Sequence, residues 1–170
     1  RADVEAGLWV ALEQRQFVLH YQPQVAADGT VLGLEALVRW QHPVRGLVPP
    51  DEFIPLAEEC GLILPLGRWV LEAACAQLAA WADHPERSRL VISVNVSARQ
   101  FLHEDFAAGV VAALEHAGAD PRRLDLELTE SSLVTDIDKV SAKMEALKAR
   151  GVGFSLDDFG TGYSSLAYLK

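Results

Sequence analysis

The sequence predicts an α/β fold built on a largely parallel sheet, and three observations carry that prediction. From Leu90 onward, strand patterns alternate with helix patterns across short connections, and such strand–helix–strand units demand parallel strands with helical cover. Near the start, Ala26-Ala27-Asp28-Gly29 separates two strand patterns, a hairpin signal that makes those two strands antiparallel neighbours. Four strands also carry oxygen-bearing side chains on one face, mostly toward their C-terminal ends, where parallel α/β folds place their active sites.

Taken in order, Val4 to Gln16 has the helical spacing Val4, Leu8, Ala11, Leu12. Phe17 to Val25 and Val31 to Trp40 read as the hairpin strands. Pro43, Gly46, Pro49 and Pro50 then mark a loop, and Asp51 is the expected N-cap of a short helix from Glu52 to Cys60 that Gly61 ends. Leu66 to Ala82 is apolar most of the way round, as a helix packed on a sheet should be. Leu90 to Val96 is a strand, Phe106 to His116 a helix closed by Gly118, and Leu124 to Thr129 a strand. Ile137 to Arg150 is a helix stopped at Gly151, with Val140, Met144 and Leu147 on its inner stripe. Val152 to Asp157 is the last strand, and Ser164 begins another helical pattern. That gives five strands, which suit an open sheet or part of an eight-stranded barrel equally well.

Composition narrows the class. Half of the 170 residues are hydrophobic, enough for one domain with a substantial core. The net charge of −9, with no Lys/Arg cluster interleaved with aromatics, argues against a DNA- or RNA-coating surface. Cys60 and Cys75 sit in apolar helical patterns without CxxC spacing and read as reduced and buried, as in a cytoplasmic domain. No signal peptide and no run of eighteen apolar residues is present. A chain that starts at Arg1 reads as excised from a longer one, whose membrane anchoring this stretch leaves open.

The chemistry concentrates at the strand ends. Glu35, Leu37 and Arg39 alternate with Leu34, Ala36 and Val38; Ser93, Asn95 and Ser97 with Ile92, Val94 and Val96. Asp125, Glu127 and Thr129 alternate with Leu124, Leu126 and Leu128; Ser155 and Asp157 with Phe154 and Leu156. Each strand thus has an aliphatic face for helix packing and an opposite face with oxygen donors. Glu35, Asn95, Glu127 and Asp157 should converge, with Asp158 nearby. A close carboxylate pair costs roughly 4 kcal/mol at an effective dielectric near 20. Two divalent cations would offset Glu35, Glu127, Asp157 and Asp158, and carboxylates with an amide oxygen suit Mg²⁺, Mn²⁺ or Ca²⁺. Taken singly, an Asp at a strand end more often caps the following turn.

Glu35-Ala36-Leu37 followed by Arg39 resembles the signature of EAL domains, the bacterial cyclic di-GMP phosphodiesterases. Tyr21-Gln22-Pro23, Ser93-Val94-Asn95-Val96-Ser97, Glu127-Leu128-Thr129-Glu130 and Asp157-Asp158-Phe159-Gly160-Thr161-Gly162 match the family's other blocks in order, from about Leu8 to the last residue. The resemblance implies a TIM-like (β/α)8 barrel with one antiparallel strand, of which residues 1–170 would form an incomplete EAL-type domain holding about the first five strands. It implies that Glu35, Asn95, Glu127 and Asp157 ligate metal, with Asp157 and Asp158 serving a second ion. Arg39 would grip a ligand phosphate, Gln22 and Leu37 would lie along the ligand, and Glu130 would hold the Phe159 to Ser165 loop, which the family also uses in homodimer contacts. The implied reaction opens one phosphodiester of cyclic di-GMP to linear pGpG with two Mg²⁺ or Mn²⁺ ions, and Ca²⁺ should inhibit through its looser coordination. Flanking regulatory domains are expected. The family's catalytic lysine, a later metal-site glutamate and a late glutamine find no counterpart up to Lys170, which reads as a helix residue.

Other readings explain less. Asp158-Phe159-Gly160 also occurs in kinases, but no Gly-rich loop or His-Arg-Asp block accompanies it. An aldolase- or enolase-type barrel accounts for the acids and not for five ordered blocks. A degenerate cyclic di-GMP receptor or protein-interaction module that signals without hydrolysis is the stronger competitor, although the Glu-Ala-Leu and Asp-Asp-Phe-Gly blocks are intact. His20, His42, His84, His103 and His116 have no metal spacing and read as structural or surface, and the four tryptophans as packing, with Trp40 alone near the site end.

Overall fold

A computed structural model describes residues 2–129, 132 and 136–157, the side chains of 2, 3 and 157 excepted. Helix α1 (Ala2–Glu13) leads into strands β1 (Phe17–Val25), β2 (Val31–His42) and β3 (Gly46–Val48). Helices α2 (Pro50–Cys60) and α3 (Ile63–Trp81) follow, then β4 (Val91–Val96), α4 (Ala98–Leu102) and α5 (Phe106–Ala117). A 3-10 turn (Pro121–Arg123) enters β5 (Leu124–Thr129), and α6 (Ile137–Ala149) and β6 (Gly153–Asp157) complete the described elements.

The six strands form one sheet in the order β1-β2-β4-β5-β6, with β3 attached to β2. β1 and β2 pair antiparallel, Gln22 facing Glu35, and the reversal uses Gly29 at φ 86°, where a side chain would be strained. β2, β4, β5 and β6 run parallel. The antiparallel β1–β2 hairpin joined to parallel strands is the arrangement the sequence predicts, and β3 adds a second antiparallel strand beside β2.

Two expectations are corrected. The proline- and glycine-marked stretch after Trp40 is not all loop: Gly46–Val48 returns along Trp40–His42 as a sixth strand, extending β2. Asp51 does not cap α2. Pro49 occupies the N-cap and Pro50 opens the helix, where a missing N–H costs nothing, while Asp51 lies in the first turn. Gly61 does end α2, at φ 83°.

The helices cover one face of the sheet. Ile92, Val94, Val96, Leu124, Leu126 and Leu128 pack there against Leu71, Cys75 and Leu78 of α3, Val110 of α5 and Met144 and Leu147 of α6. A second core joins α1 and α2 to Phe17, Trp40, Val48 and Leu62. Trp40 belongs to this second core: it is buried against Phe53 and Phe17 and donates its indole N–H to Gln16 Oε1 at 3.1 Å. Trp9 is not a packing residue in the same sense, being 44% exposed on α1. Cys75 is buried and Cys60 partly so, both as free thiols. Three of the histidines terminate turns by accepting backbone N–H groups: His42 from Val44 and Arg45, His84 from Glu86, His103 from Asp105. No helix among the described residues is long and apolar enough to cross a membrane.

Candidate functional site

The helix-free face of the sheet collects the polar side chains, because residues in register share a face. Glu35 pairs with Ser93 and Ser93 with Asp125; one step further, Asn95 pairs with Glu127 and Glu127 with Ser155; above these, Thr129 faces Asp157. The donors therefore sit in rows that climb toward the C-terminal ends of the parallel strands. Asn95 Nδ2 donates to Glu35 Oε1 at 3.1 Å, joining residues from β4 and β2. Glu127 is 9% exposed.

Glu35, Leu37, Asn95, Glu127 and Thr129 line a cavity of about 610 Å³, whose other wall comes from α2 and α3 and mixes Ile54, Ile63 and Leu66 with Asp51 and Glu58. Beyond Ala36 the ladder between β2 and β4 ends, so the upper half of β2 leans away and opens this space. Arg39 is half-buried in that upper half and donates Nη1 to the Val38 carbonyl at 2.9 Å; among the described residues it has no acidic partner. Its remaining guanidinium donors suit a bidentate anion. Gln22 is exposed, on the antiparallel strand opposite Glu35.

Of the residues expected to meet, then, Glu35, Asn95 and Glu127 come to one cavity wall. The backbone of Asp157 lies on β6 in register with Thr129; its side chain, Asp158, Glu130 and the 159–165 loop lie outside the described residues. Among the described residues no three His, Cys, Asp or Glu side chains form a metal-holding group. The donors that are described nevertheless fit a hard divalent ion in kind: Glu35 and Glu127 supply carboxylate oxygens, and Asn95, turned with Nδ2 to Glu35, has Oδ1 left as its ligand atom.

Two further residues belong to this face. Asp125 Oδ2 accepts from Ser155 Oγ at 2.6 Å and from Ser93 Oγ at 3.3 Å, linking β6 and β4 across β5. Burial pushes its carboxyl above the usual range, and the two hydroxyl contacts oppose that. Gly153 makes room for it, since a β-carbon there would stand 2.9 Å from Asp125 Oδ1. Gln24, at the far end of β1, donates Nε2 to Glu127 Oε1 at 3.3 Å and lies 3.4 Å from Ser93 Oγ. The period-2 alternation places Asp125 on the right face, and Gln24 on the same face as Gln22, but no local pattern indicates which distant group either one meets.

The family model described as EAL domain matches residues 6–170. MucR of Pseudomonas aeruginosa, named a bifunctional diguanylate cyclase/cyclic di-GMP phosphodiesterase, is 51% identical over 163 residues, covering 94% of this chain and 23% of MucR. PdeR of Escherichia coli, named a cyclic di-GMP phosphodiesterase, is 43% identical over 166 residues, covering 98% of this chain and 25% of PdeR. The chain thus spans about a quarter of the length of these relatives. Among solved structures, the MucR phosphodiesterase in complex with c-di-GMP superposes with a TM-score of 0.91 at 50% identity, covering 96% of this chain and 66% of that one. The EAL enzyme Bd1971, with cAMP and cyclic di-GMP bound, gives 0.89 at 31% identity over 98% of this chain and 46% of that one.

Proposed function

This chain belongs to the EAL domain family, and from that premise we propose that it is the N-terminal part of a cytoplasmic domain that hydrolyses one phosphodiester of cyclic di-GMP to give linear pGpG. The observation that carries the reading is the meeting of Glu35 and Asn95, 60 residues apart in sequence, at 3.1 Å on the wall of a cavity that Glu127 also lines. Relatives named as cyclic di-GMP phosphodiesterases and neighbours solved with that ligand support the choice of substrate.

Glu35, Asn95, Glu127, Asp157 and Asp158 would hold two Mg²⁺ or Mn²⁺ ions. Bound there, the ions supply positive charge for the phosphate and a water of lowered pKa. Arg39 clamps a phosphate oxygen pair through its planar fork. Gln22 and Leu37 lie along the ligand and fix its orientation against the strand ends. Glu130 positions the 159–165 loop, which also serves contacts between copies. Ca²⁺, with longer and less regular coordination, inhibits.

The test uses the full-length protein with cyclic di-GMP and either Mg²⁺ or Mn²⁺, following pGpG by chromatography. Turnover is expected, and Glu35→Ala should lower it by about a thousandfold or more, the order associated with losing a group that acts on the reacting centre. Tight binding of cyclic di-GMP by the wild type without any pGpG would assign the protein to the receptor class instead.

A further inference from the structure

Gln24 makes the longest reach on the polar face. It starts on the edge strand β1 and contacts Glu127 on β5, with β2 and β4 lying between them in the sheet. A carboxylate can only accept, so the amide atom 3.3 Å from Glu127 Oε1 must be the N–H₂ donor. That fixes the orientation of the amide and turns Oε1 toward Ser93 Oγ, 3.4 Å away. Ser93 has one hydroxyl hydrogen and two acceptors, Gln24 Oε1 and Asp125 Oδ2, and Asp125 is itself held by Ser155. Glu127, Gln24, Ser93, Asp125 and Ser155 thus lie in one row on this face, with the single Ser93 hydrogen serving either Gln24 or Asp125 at a time. Gly33, in register with Gln24 on β2, lies hard against β4, where a β-carbon would stand 2.5 Å from the Val91 carbonyl oxygen.

We infer that Gln24 is a positioning residue for Glu127: its amide holds one carboxylate oxygen of Glu127 so that the group presents a fixed orientation to a divalent cation at the strand ends. This inference rests on the metal-dependent reading of the site given above. Carboxylate ligands work when neighbouring hydrogen bonds fix their rotamer, and removing such a neighbour typically weakens metal binding by about 10–100-fold. Among the described residues the Gln24 side-chain hydrogen bonds go to Glu127 and Ser93 and not to Arg39 or Glu35, so its effect should run through the cation rather than through ligand contacts.

The experiment is a Mn²⁺ titration of the full-length protein, followed by electron paramagnetic resonance, on wild type, Gln24→Met and Ser93→Ala, with a thermal melt of each. Gln24→Met keeps the length of the side chain and removes both hydrogen bonds; Ser93→Ala leaves Gln24 in place and removes the hydroxyl beside its Oε1. Gln24→Met should weaken Mn²⁺ binding about 10–100-fold, with its melting temperature within a degree or two of wild type, and excess Mn²⁺ should restore most of kcat. Ser93→Ala should show the same change at a smaller size, about threefold. Unchanged Mn²⁺ affinity in Gln24→Met, or a lowered melting temperature with affinity retained, overturns the inference; if Gln24→Met does not fold, the Ser93→Ala titration decides. A wild type that binds no Mn²⁺ fails earlier, at the metal-dependent reading itself.

Discussion

Ile92, Val94 and Val96 on one face of β4 are at most 2% exposed and belong to the hydrophobic core, whereas Ser93 and Asn95, interleaved with them, reach Glu35, Gln24 and Asp125. The two faces of one strand solve different problems. Helix packing on the outer face stabilises the fold through non-directional burial, which tolerates any well-shaped hydrocarbon. The inner face gathers like charges and directional hydrogen bonds, which contribute little net stability and would be costly if left unmatched. Stability and chemistry are thereby assigned to opposite sides of the same backbone, so a substitution can test one without the other.

Leu126→Ala should break the outer face most severely. The side chain is fully buried between neighbouring strands and the helices, and its loss should cost about 2–5 kcal/mol in denaturant unfolding. Gly33→Ala attacks the seam between β2 and β4, because the new β-carbon would meet backbone at 2.5 Å. We expect about 1–3 kcal/mol of destabilisation, with Glu35, two residues along, displaced as well.

Cys75 carries a titrating group into the outer core, where burial first and the Glu72 charge second push its thiol up to about 11. A folded value above the unfolded one, near about 8.5, means that its stabilisation is complete below the unfolded value and lost as pH rises through the folded one. Unfolding free energy should therefore fall from about pH 8.5 upward, by at most about 1.4 kcal/mol per pH unit from this group, and Cys75→Ala should flatten that part of the profile.

Asp120 stands where the chain turns into β5 and feeds both faces. Its side chain accepts from the Arg122 guanidinium and from the Arg122 backbone N–H, and the first of these chiefly holds its carboxyl below the usual range. That contribution is present above the unfolded carboxylate value and lost as pH falls through the lower folded one. Asp120→Ala should cost a few tenths to about 1 kcal/mol at neutral pH, since the pair is exposed, with the difference from wild type shrinking in acid melts. Smallest in stability is Glu35→Ala: half-buried among other acids, it should shift unfolding by no more than about 0.5 kcal/mol while removing turnover, the signature of a residue kept for chemistry.

Much of this was legible in the residues. The hairpin, the parallel order after Leu90 and the alternation of Ser93, Asn95, Asp125 and Glu127 against aliphatic partners follow from strand periodicity and turn residues, and the register bears them out. What escaped depends on partners far away in sequence. Gly46–Val48 is too short and too rich in turn neighbours to read as a strand until β2 is there to pair with it. Asp51 looks like a cap, yet Pro49 and Pro50 already impose the backbone angles that start α2.

The sequence by itself determined the element order, the two-faced strands and the identity of the oxygen donors, because each depends on neighbours within a few residues and on the fixed geometry of strand and turn. Only the tertiary structure decided that Asn95 meets Glu35, that Gln24 reaches Glu127 and that Trp40 belongs to a second core rather than to the site. Those meetings depend on strand order and on how far each strand slides past the next, and neither quantity is written in the local period of any one segment.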